Sequence, residues 1–186
     1  MSLRVLVIPE DPTNDQYILR PLVQRMLAEI GRPNATVRCL TNPRMTGYDH
    51  ALETMRKELP QAYCHFQLWL FLPDSDRATD FRAIEHELDV QGIKLICCAA
   101  IPEVEAWCLA GHRQKLKTEW NLARANPRFK EEIFQPFLEL YGNSRRPGNG
   151  REDLMRTTLT NYRSLLTVCP ELELLERRIR DFLVLP

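Results

Sequence analysis

Two hydrophobic runs that end in acidic residues place the strongest constraint on how this chain can fold. Residues 3–8 and 66–72 are short and almost entirely aliphatic or aromatic, which is typical of parallel strands covered on both faces. Acidic residues follow both runs, Glu10 and Asp11 after the first, Asp74 and Asp76 after the second. Because ligands bind at the carboxyl ends of strands in an open parallel sheet, we expect these carboxylates to converge at one edge.

Strand-like and helical segments alternate through the first half of the chain. Strands are predicted at residues 3–8, 35–40, 66–72 and 94–101, with helices at 15–30, 49–59 and 77–90 between them. This alternation indicates an α/β fold with a mainly parallel four-stranded sheet flanked by helices. Pro21 is expected to kink or break the first helix. Pro102 is expected in the first turn of the helix after the last strand, where its missing N–H has no cost.

After Pro102 the sequence predicts helices and loops alone. The expected helices cover residues 103–110, 114–125, 130–141, 151–166 and 172–183. This half is too short and too broken to bury a large core of its own. We therefore expect residues 1–111 to form an α/β core and residues 112–186 a helical extension packed on it.

Composition limits the classes of function. Lysine plus arginine and aspartate plus glutamate both number 25, so a polyanion would have to be held by a local basic patch or a metal. No secretory signal and no run of about 20 apolar residues is present, so a cytoplasmic location and no membrane contact are expected. The six cysteines lack zinc-site spacing and are interpreted as reduced thiols. There is also no GxxxxGK[ST] motif for ATP.

Five carboxylates at three strand ends are the residues that could carry chemistry. They are Glu10, Asp74, Asp76, Glu103 and Glu105. Mg²⁺ prefers oxygen ligands and keeps several waters, so one or two carboxylates can hold an ion. Two such ions about 4 Å apart support phosphodiester cleavage. Any one of these acids could instead cap a helix, but their combination favours a metal site.

The same residues carry a resemblance to a known family. A strand ending in Glu10, a turn and a helix, followed later by a strand ending in Asp74-Ser-Asp76, resembles the Toprim domain of topoisomerases, primases and OLD-type nucleases. The segment Pro102-Glu-Val-Glu-Ala-Trp-Cys-Leu-Ala110 is similar to one in bacterial Toprim-like families related to RloB-type defence proteins. The resemblance covers residues 3–111.

The resemblance implies a Mg²⁺- or Mn²⁺-dependent nuclease that cleaves DNA or RNA. Glu10, Asp74 and Asp76 match the family's acidic residues and are expected to bind metal and act in catalysis, with Asp15 or Glu105 completing a second metal site. Basic side chains are needed to hold phosphates and to stabilise developing charge. We assign Arg77 and Arg44 to phosphate binding and Lys130 to catalysis. Lys115, Lys117 and the loop with Arg145, Arg146 and Arg151 are further basic candidates.

One departure from the family pattern leaves an alternative open. Toprim sequences usually place glycine directly after the first glutamate, where this chain has Asp11. A side chain there could alter the approach of a phosphate or supply another ligand. The alternative is a catalytically silent regulatory or interaction subunit. The likeness to defence-linked families implies a partner ATPase and a role in phage defence, whereas the choice of DNA or RNA and homo-oligomer formation stay open.

Overall fold

A computed structural model describes residues 2–75 and 80–184 and contains a four-stranded sheet in which every pairing is parallel. The strand order is β2-β1-β3-β4. The strands are β1 Arg4–Pro9, β2 Thr36–Cys39, β3 Leu68–Leu72 and β4 Leu95–Cys97. The predicted α/β fold class is confirmed, although β2, β3 and β4 are shorter than expected.

The register of the two central strands brings their carboxyl ends together. Val5 pairs with Leu68 and Pro9 pairs with Leu72, so the chain leaves β1 and β3 at the same level. All five residues of β3 are buried, which explains their continuous apolar character. An isolated bridge between Asp74 and Ala100 continues the pairing past β3 and β4. The acidic segments therefore begin side by side at one edge of the sheet.

The helices of the α/β half depart from expectation at both prolines. They are α1 Gln16–Glu29, α2 Tyr48–Lys57, α3 Leu59–Tyr63, α4 Arg82–Val90 and α5 Val104–Leu109. α1 runs through Pro21 without a break, because buried residues on both sides of the proline pack against the core. The placement of Pro102 in the first turn was wrong: α5 begins at Val104, whose N–H donates to Asp74, and Glu103 is its N-cap.

The C-terminal half consists of short helical segments. They are a 3₁₀ helix Ala110–Lys115, α6 Trp120–Arg124, a π-helical turn Lys130–Phe134, α7 Gln135–Tyr141, a 3₁₀ turn Pro147–Gly150, α8 Arg151–Leu159, α9 Tyr162–Val168 and α10 Pro170–Val184. The helix predicted over 114–125 is formed only in its second half, as α6; the first half is the end of the 3₁₀ helix and a loop. The predicted helix over 151–166 is divided at Asn161, whose side chain accepts a hydrogen bond from the Ser164 N–H and starts a new helix.

The two faces of the sheet bury different partners. Leu6, Ile8, Trp69 and Phe71 belong to the hydrophobic cluster formed with α2, α3 and α4. The alternate residues Val5, Val7 and Leu70 belong to a second cluster with α1, α5 and the C-terminal helices, including Tyr162, Leu172 and Ile179. Sheet and C-terminal helices thus share one core. Within the described ranges, no helix is long and apolar enough to cross a membrane.

Candidate active site

Asp15, Asp74 and Glu105 come together at the carboxyl edge of the sheet from three different elements. Asp15 is the N-cap residue of α1, Asp74 follows β3, and Glu105 lies in the first turn of α5. Asp15 is 3% exposed and Glu105 is fully buried. Burial raises the pKa of Asp15 well above its usual range, and the charges of Glu105 and Asp74 raise it further. These three residues form what we call the acid cluster.

Asp11 builds the turn that positions Asp15. The Asp11 N–H donates to Oδ2 of Asp15 at 3.1 Å, and Oδ1 of Asp11 accepts from the Thr13 N–H at 2.9 Å. Burial raises the pKa of Asp11, but hydrogen bonds from Thr13 and Asn14 and the charge of Lys130 outweigh it, so the pKa falls below its usual value. Asp11 has no positive φ, so this turn does not require the glycine of the family pattern.

Asp74 is fixed by the start of α5. Its Oδ1 accepts the Val104 N–H at 2.8 Å, and the next residue, Ser75, donates its N–H to the Pro102 carbonyl at 3.0 Å. Burial raises the pKa of Asp74 to about 7; the Val104 hydrogen bond opposes this rise, and the charges of Glu105 and Glu103 add to it. Asp74 therefore holds a proton at neutral pH more readily than an ordinary aspartate.

Lys130 supplies a positive charge to the acid cluster. It begins the π-helical turn, and its Nζ lies 3.1 Å from Oε1 of Glu105. Burial lowers the pKa of Lys130, but the charges of Glu105, Asp15 and Asp74 outweigh burial and raise it. The Lys130 side chain is 35% exposed, whereas that of Glu105 is 1% exposed. One lysine thus faces three carboxylates and is also open to solvent.

The oxygens of the acid cluster suit a hard divalent cation. One oxygen of Asp15 and one of Asp74 are used in positioning hydrogen bonds, and Oε2 of Glu105 is buried with no hydrogen-bond partner among the described residues. Buried carboxylates that raise one another's pKa are relieved either by protons or by a cation. Within residues 2–75 and 80–184, no three acidic, histidine or cysteine side chains converge tightly enough to ligate one ion by themselves. Water would complete the shell, as Mg²⁺ usually requires.

The other predicted site residues are placed differently. Glu10 follows β1 at the same edge and is half-buried. The main carboxylates that raise the pKa of Asp15 and Asp74 are Glu105 and other neighbours, and Glu10 is not among them. Arg44 is exposed in the loop before α2 and makes no hydrogen bond or ion pair within the described part of the chain. Asp76 and Arg77 lie outside the described residues.

Two acids contribute in ways that the sequence did not assign. Asp11 shapes the turn before α1, because its side chain accepts the backbone N–H of Thr13, two residues further along the chain. Aspartate side chains often make this hydrogen bond in turns. Glu103 is the N-cap residue of α5 and its charge raises the pKa of Asp74. Their position after a strand was the available signal, but their roles depend on which backbone groups lie opposite.

No family model, curated protein or solved structure matches this chain.

Proposed function

We propose that the protein is a Mg²⁺- or Mn²⁺-dependent nuclease that cleaves phosphodiester bonds in DNA or RNA. The observation that carries the proposal is the acid cluster: the buried Asp15 and Glu105 and the half-buried Asp74 come from separate elements, at the edge of a parallel sheet where ligands bind. Burial and the neighbouring carboxylates raise the pKa of Asp15 and Asp74. Lys130 supplies one positive charge to three carboxylates, so the cluster as a whole still favours the binding of a further cation.

The chain's own residues divide the work. Asp15, Asp74 and Glu105 would hold the metal, which when bound activates water and stabilises charge on the phosphate. Glu105 also holds Lys130 at 3.1 Å, and the solvent-exposed part of Lys130 is available to donate hydrogen bonds to phosphate oxygens. Asp11 keeps Asp15 in place, and the Val104 N–H does the same for Asp74. Glu10 and Asp76 remain proposed ligands on the strength of the family resemblance.

The test is a cleavage assay with matched variants. Supercoiled plasmid, single-stranded DNA and RNA are incubated with the protein and Mn²⁺ or Mg²⁺, with EDTA as the blank. We expect cleavage of at least one substrate, and a loss of 100-fold or more in Asp15→Asn and Asp74→Asn. Glu53→Gln is the control, because Glu53 is an exposed carboxylate paired with Lys57 and should keep full activity. Equal activity in all four proteins would show that the activity belongs to a contaminant.

A catalytically silent regulatory subunit is the second candidate. The observation that favours it is that two members of the cluster already have structural partners: Lys130 pairs with Glu105, and Asp74 caps α5. In that case the protein would bind neither Mn²⁺ nor Mg²⁺ at millimolar concentration and would cleave none of the substrates. Stable folding of Asp15→Asn and Asp74→Asn with unchanged partner binding would then favour the regulatory role.

We further propose a cytoplasmic role in phage defence beside a partner ATPase, from the resemblance to defence-linked families. The chain has no phosphate-binding GxxxxGK[ST] motif, so any such ATP hydrolysis must come from another protein. Affinity purification of the tagged protein from its own host, followed by mass spectrometry, tests this. Recovery of a stoichiometric ATPase supports the proposal, and recovery of the protein alone from a host under phage challenge contradicts it.

A further inference from the structure

Arg151 is a buried arginine for which the described part of the chain supplies no acidic partner. It is the first residue of α8 and is 4% exposed. Its Nη1 donates to the carbonyl of Gly148 at 3.0 Å, its guanidinium lies 5.2 Å from the centre of the Phe134 ring, and its Nε is buried with no hydrogen bond. No carboxylate among residues 2–75 and 80–184 lies within ion-pair distance of it.

A buried guanidinium in this state is incompletely compensated. Transfer of a charge out of water is unfavourable unless the charge is paired and hydrogen-bonded. The contact with the Phe134 ring offsets only part of this cost. The hydrogen bond from Nη1 to Gly148 ties the guanidinium to the loop before α8, while Nε has no hydrogen-bond partner among the described residues. An anion from outside the chain would complete this arrangement.

Arg151 lies at the same end of the molecule as the acid cluster. α1 and α8 run side by side: Arg20 pairs with Glu152 at 3.7 Å, and a Cβ added to Gly148 would collide with the Tyr17 ring. The Arg151 carbonyl accepts from Sγ of Cys108, one turn after Glu105 on α5. Phe134, beneath the guanidinium, likewise lies one turn after Lys130. Arg151 therefore contacts α5 and the π-helical turn, the two elements that carry Glu105 and Lys130.

The loop before α8 is shaped and charged for a phosphate. Gly148, Asn149 and Gly150 all have positive φ, 65°, 55° and 88°, so the chain turns sharply here. The Tyr17 ring packs against Gly148, and the backbone of Asn143 packs against Gly150. Arg145 and Arg146 lie exposed on the same loop. Arg146 pairs with the exposed Asp153 at 3.4 Å, and Arg145 makes no ion pair within the described part of the chain. Three arginines in seven residues thus surround a glycine turn.

We propose that the loop 142–151 and Arg151 form a phosphate-binding subsite that takes a backbone phosphate of a nucleic acid next to the one held at the acid cluster. The nucleic acid as ligand rests on the proposed function, whereas phosphate binding at Arg151 needs no metal. An arginine fork suits phosphate because its N–H donors can bind two oxygens at once.

The test measures anion binding by the full chain in EDTA. Inorganic phosphate is titrated by calorimetry, and 12-nucleotide single-stranded DNA and RNA by fluorescence anisotropy at fixed salt concentration. We expect saturable binding by the wild type, a loss of at least tenfold in affinity for both probe types in Arg151→Met, and a loss of at least threefold in Arg151→Lys, which keeps the charge without the fork. Arg156→Met is the matched control, because Arg156 lies on the same helix, is exposed and pairs with Glu152.

Each outcome bears on the subsite separately from the nuclease proposal. Wild-type protein that binds neither probe saturably, or Arg151 variants that bind as tightly as Arg156→Met, would overturn the subsite even if the protein cleaves nucleic acid. If Arg151→Met does not fold, Arg151→Lys decides by the threefold criterion. Binding of phosphate but of neither oligonucleotide would overturn the nucleic-acid assignment. Arg151-dependent oligonucleotide binding without metal-dependent cleavage would support the subsite and contradict the nuclease.

Discussion

The Nζ of Lys130 lies 3.1 Å from Oε1 of Glu105, and these two groups join a solvent-facing cation to a fully buried anion. The pair anchors the start of the π-helical turn to α5, so it connects the C-terminal helices to the acid cluster. The same lysine lowers the pKa of Asp11 and Asp74 through its charge. Its removal should therefore affect all the carboxylates of the site together.

Replacement of Lys130 by methionine should destabilise the metal-free protein. Glu105 would be left buried without its cationic partner. Breaking a fully buried ion pair in this way lowers the free energy of unfolding by about 3–5 kcal/mol. Because the Lys130 side chain is 35% exposed, we expect a smaller loss of about 1–3 kcal/mol. Urea unfolding in EDTA measures this, with Lys57→Met, from an exposed pair, as the control. The double variant Lys130→Met, Glu105→Gln should regain part of the lost free energy of unfolding, because it buries no unpaired carboxylate. A Lys130→Met protein as stable as Lys57→Met would show that the pair is not structural.

The metal-free protein should lose stability as the pH rises from about 4 to about 7. The folded-state pKa of Asp74 is about 7 and that of Asp15 is also raised, mainly by burial, above the usual aspartate value. The native state therefore binds protons that the unfolded state has released in this window, so the free energy of unfolding falls with pH. Urea unfolding at pH 5 and 7.5 in EDTA tests the sign. Asp74→Asn should show a smaller fall, and the same fall in both proteins would contradict this role for Asp74.

Arg124 should be required for the position of α5. It donates to Oε1 of Glu171 at 2.7 Å and to the carbonyls of Ile101 and Val168, and Glu171 in turn accepts the Trp107 indole N–H at 2.9 Å. Arg124→Met leaves the largely buried Glu171 without its cation, and we expect a loss of about 3 kcal/mol in unfolding free energy. The exposed Arg128→Met is the control and should change it by less than about 1 kcal/mol. Equal losses in the two variants would contradict a specific role for Arg124.

Gly111 should not tolerate a larger side chain. A Cβ there would meet the backbone and side chain of Thr158 where the 3₁₀ helix 110–115 packs against α8. Thermal unfolding of Gly111→Ala should show a loss of about 1–3 kcal/mol, because neither element can shift without opening the core. Gln114→Ala, at an exposed position of the same 3₁₀ helix, is the control. A Gly111→Ala protein with the stability of that control would mean that the two helices separate freely.

The fold was largely predictable, because short segments of the sequence determine its central strands. The aliphatic runs at β1 and β3 admit few alternatives to buried parallel strands, and the acidic residues after them had to leave the sheet at one edge. The same logic predicted Glu105 near Asp74, and the family resemblance predicted Asp15 there. The predicted helix start at Pro102 was wrong, because the Asp74 side chain fixes the start of α5 two residues later. Of the kink or break predicted at Pro21, the break is absent, because α1 packs against the core on both sides of the proline.

The pairings within the site could not be predicted, because they depend on tertiary placement. Nothing in the sequence around Lys130 indicates that it faces Glu105 across 25 residues rather than solvent. Arg151 has the sequence context of an exposed loop residue, yet it is 4% exposed and contacts Cys108 of α5 and Phe134 of the π-helical turn. The burial that gives Asp74 a pKa of about 7 likewise belongs to the assembled edge and not to the Asp-Ser-Asp motif.

The most direct test of the central claim is a calorimetric titration of Mn²⁺ into the metal-free protein at pH 7.5. The account predicts saturable binding with release of protons from Asp15 and Asp74, visible as a heat that changes with the ionisation enthalpy of the buffer. Asp74→Asn should bind at least tenfold more weakly and release fewer protons, and Glu53→Gln should match the wild type. No saturable binding, or binding that is unchanged in Asp74→Asn and Asp15→Asn, would contradict a metal site at the acid cluster.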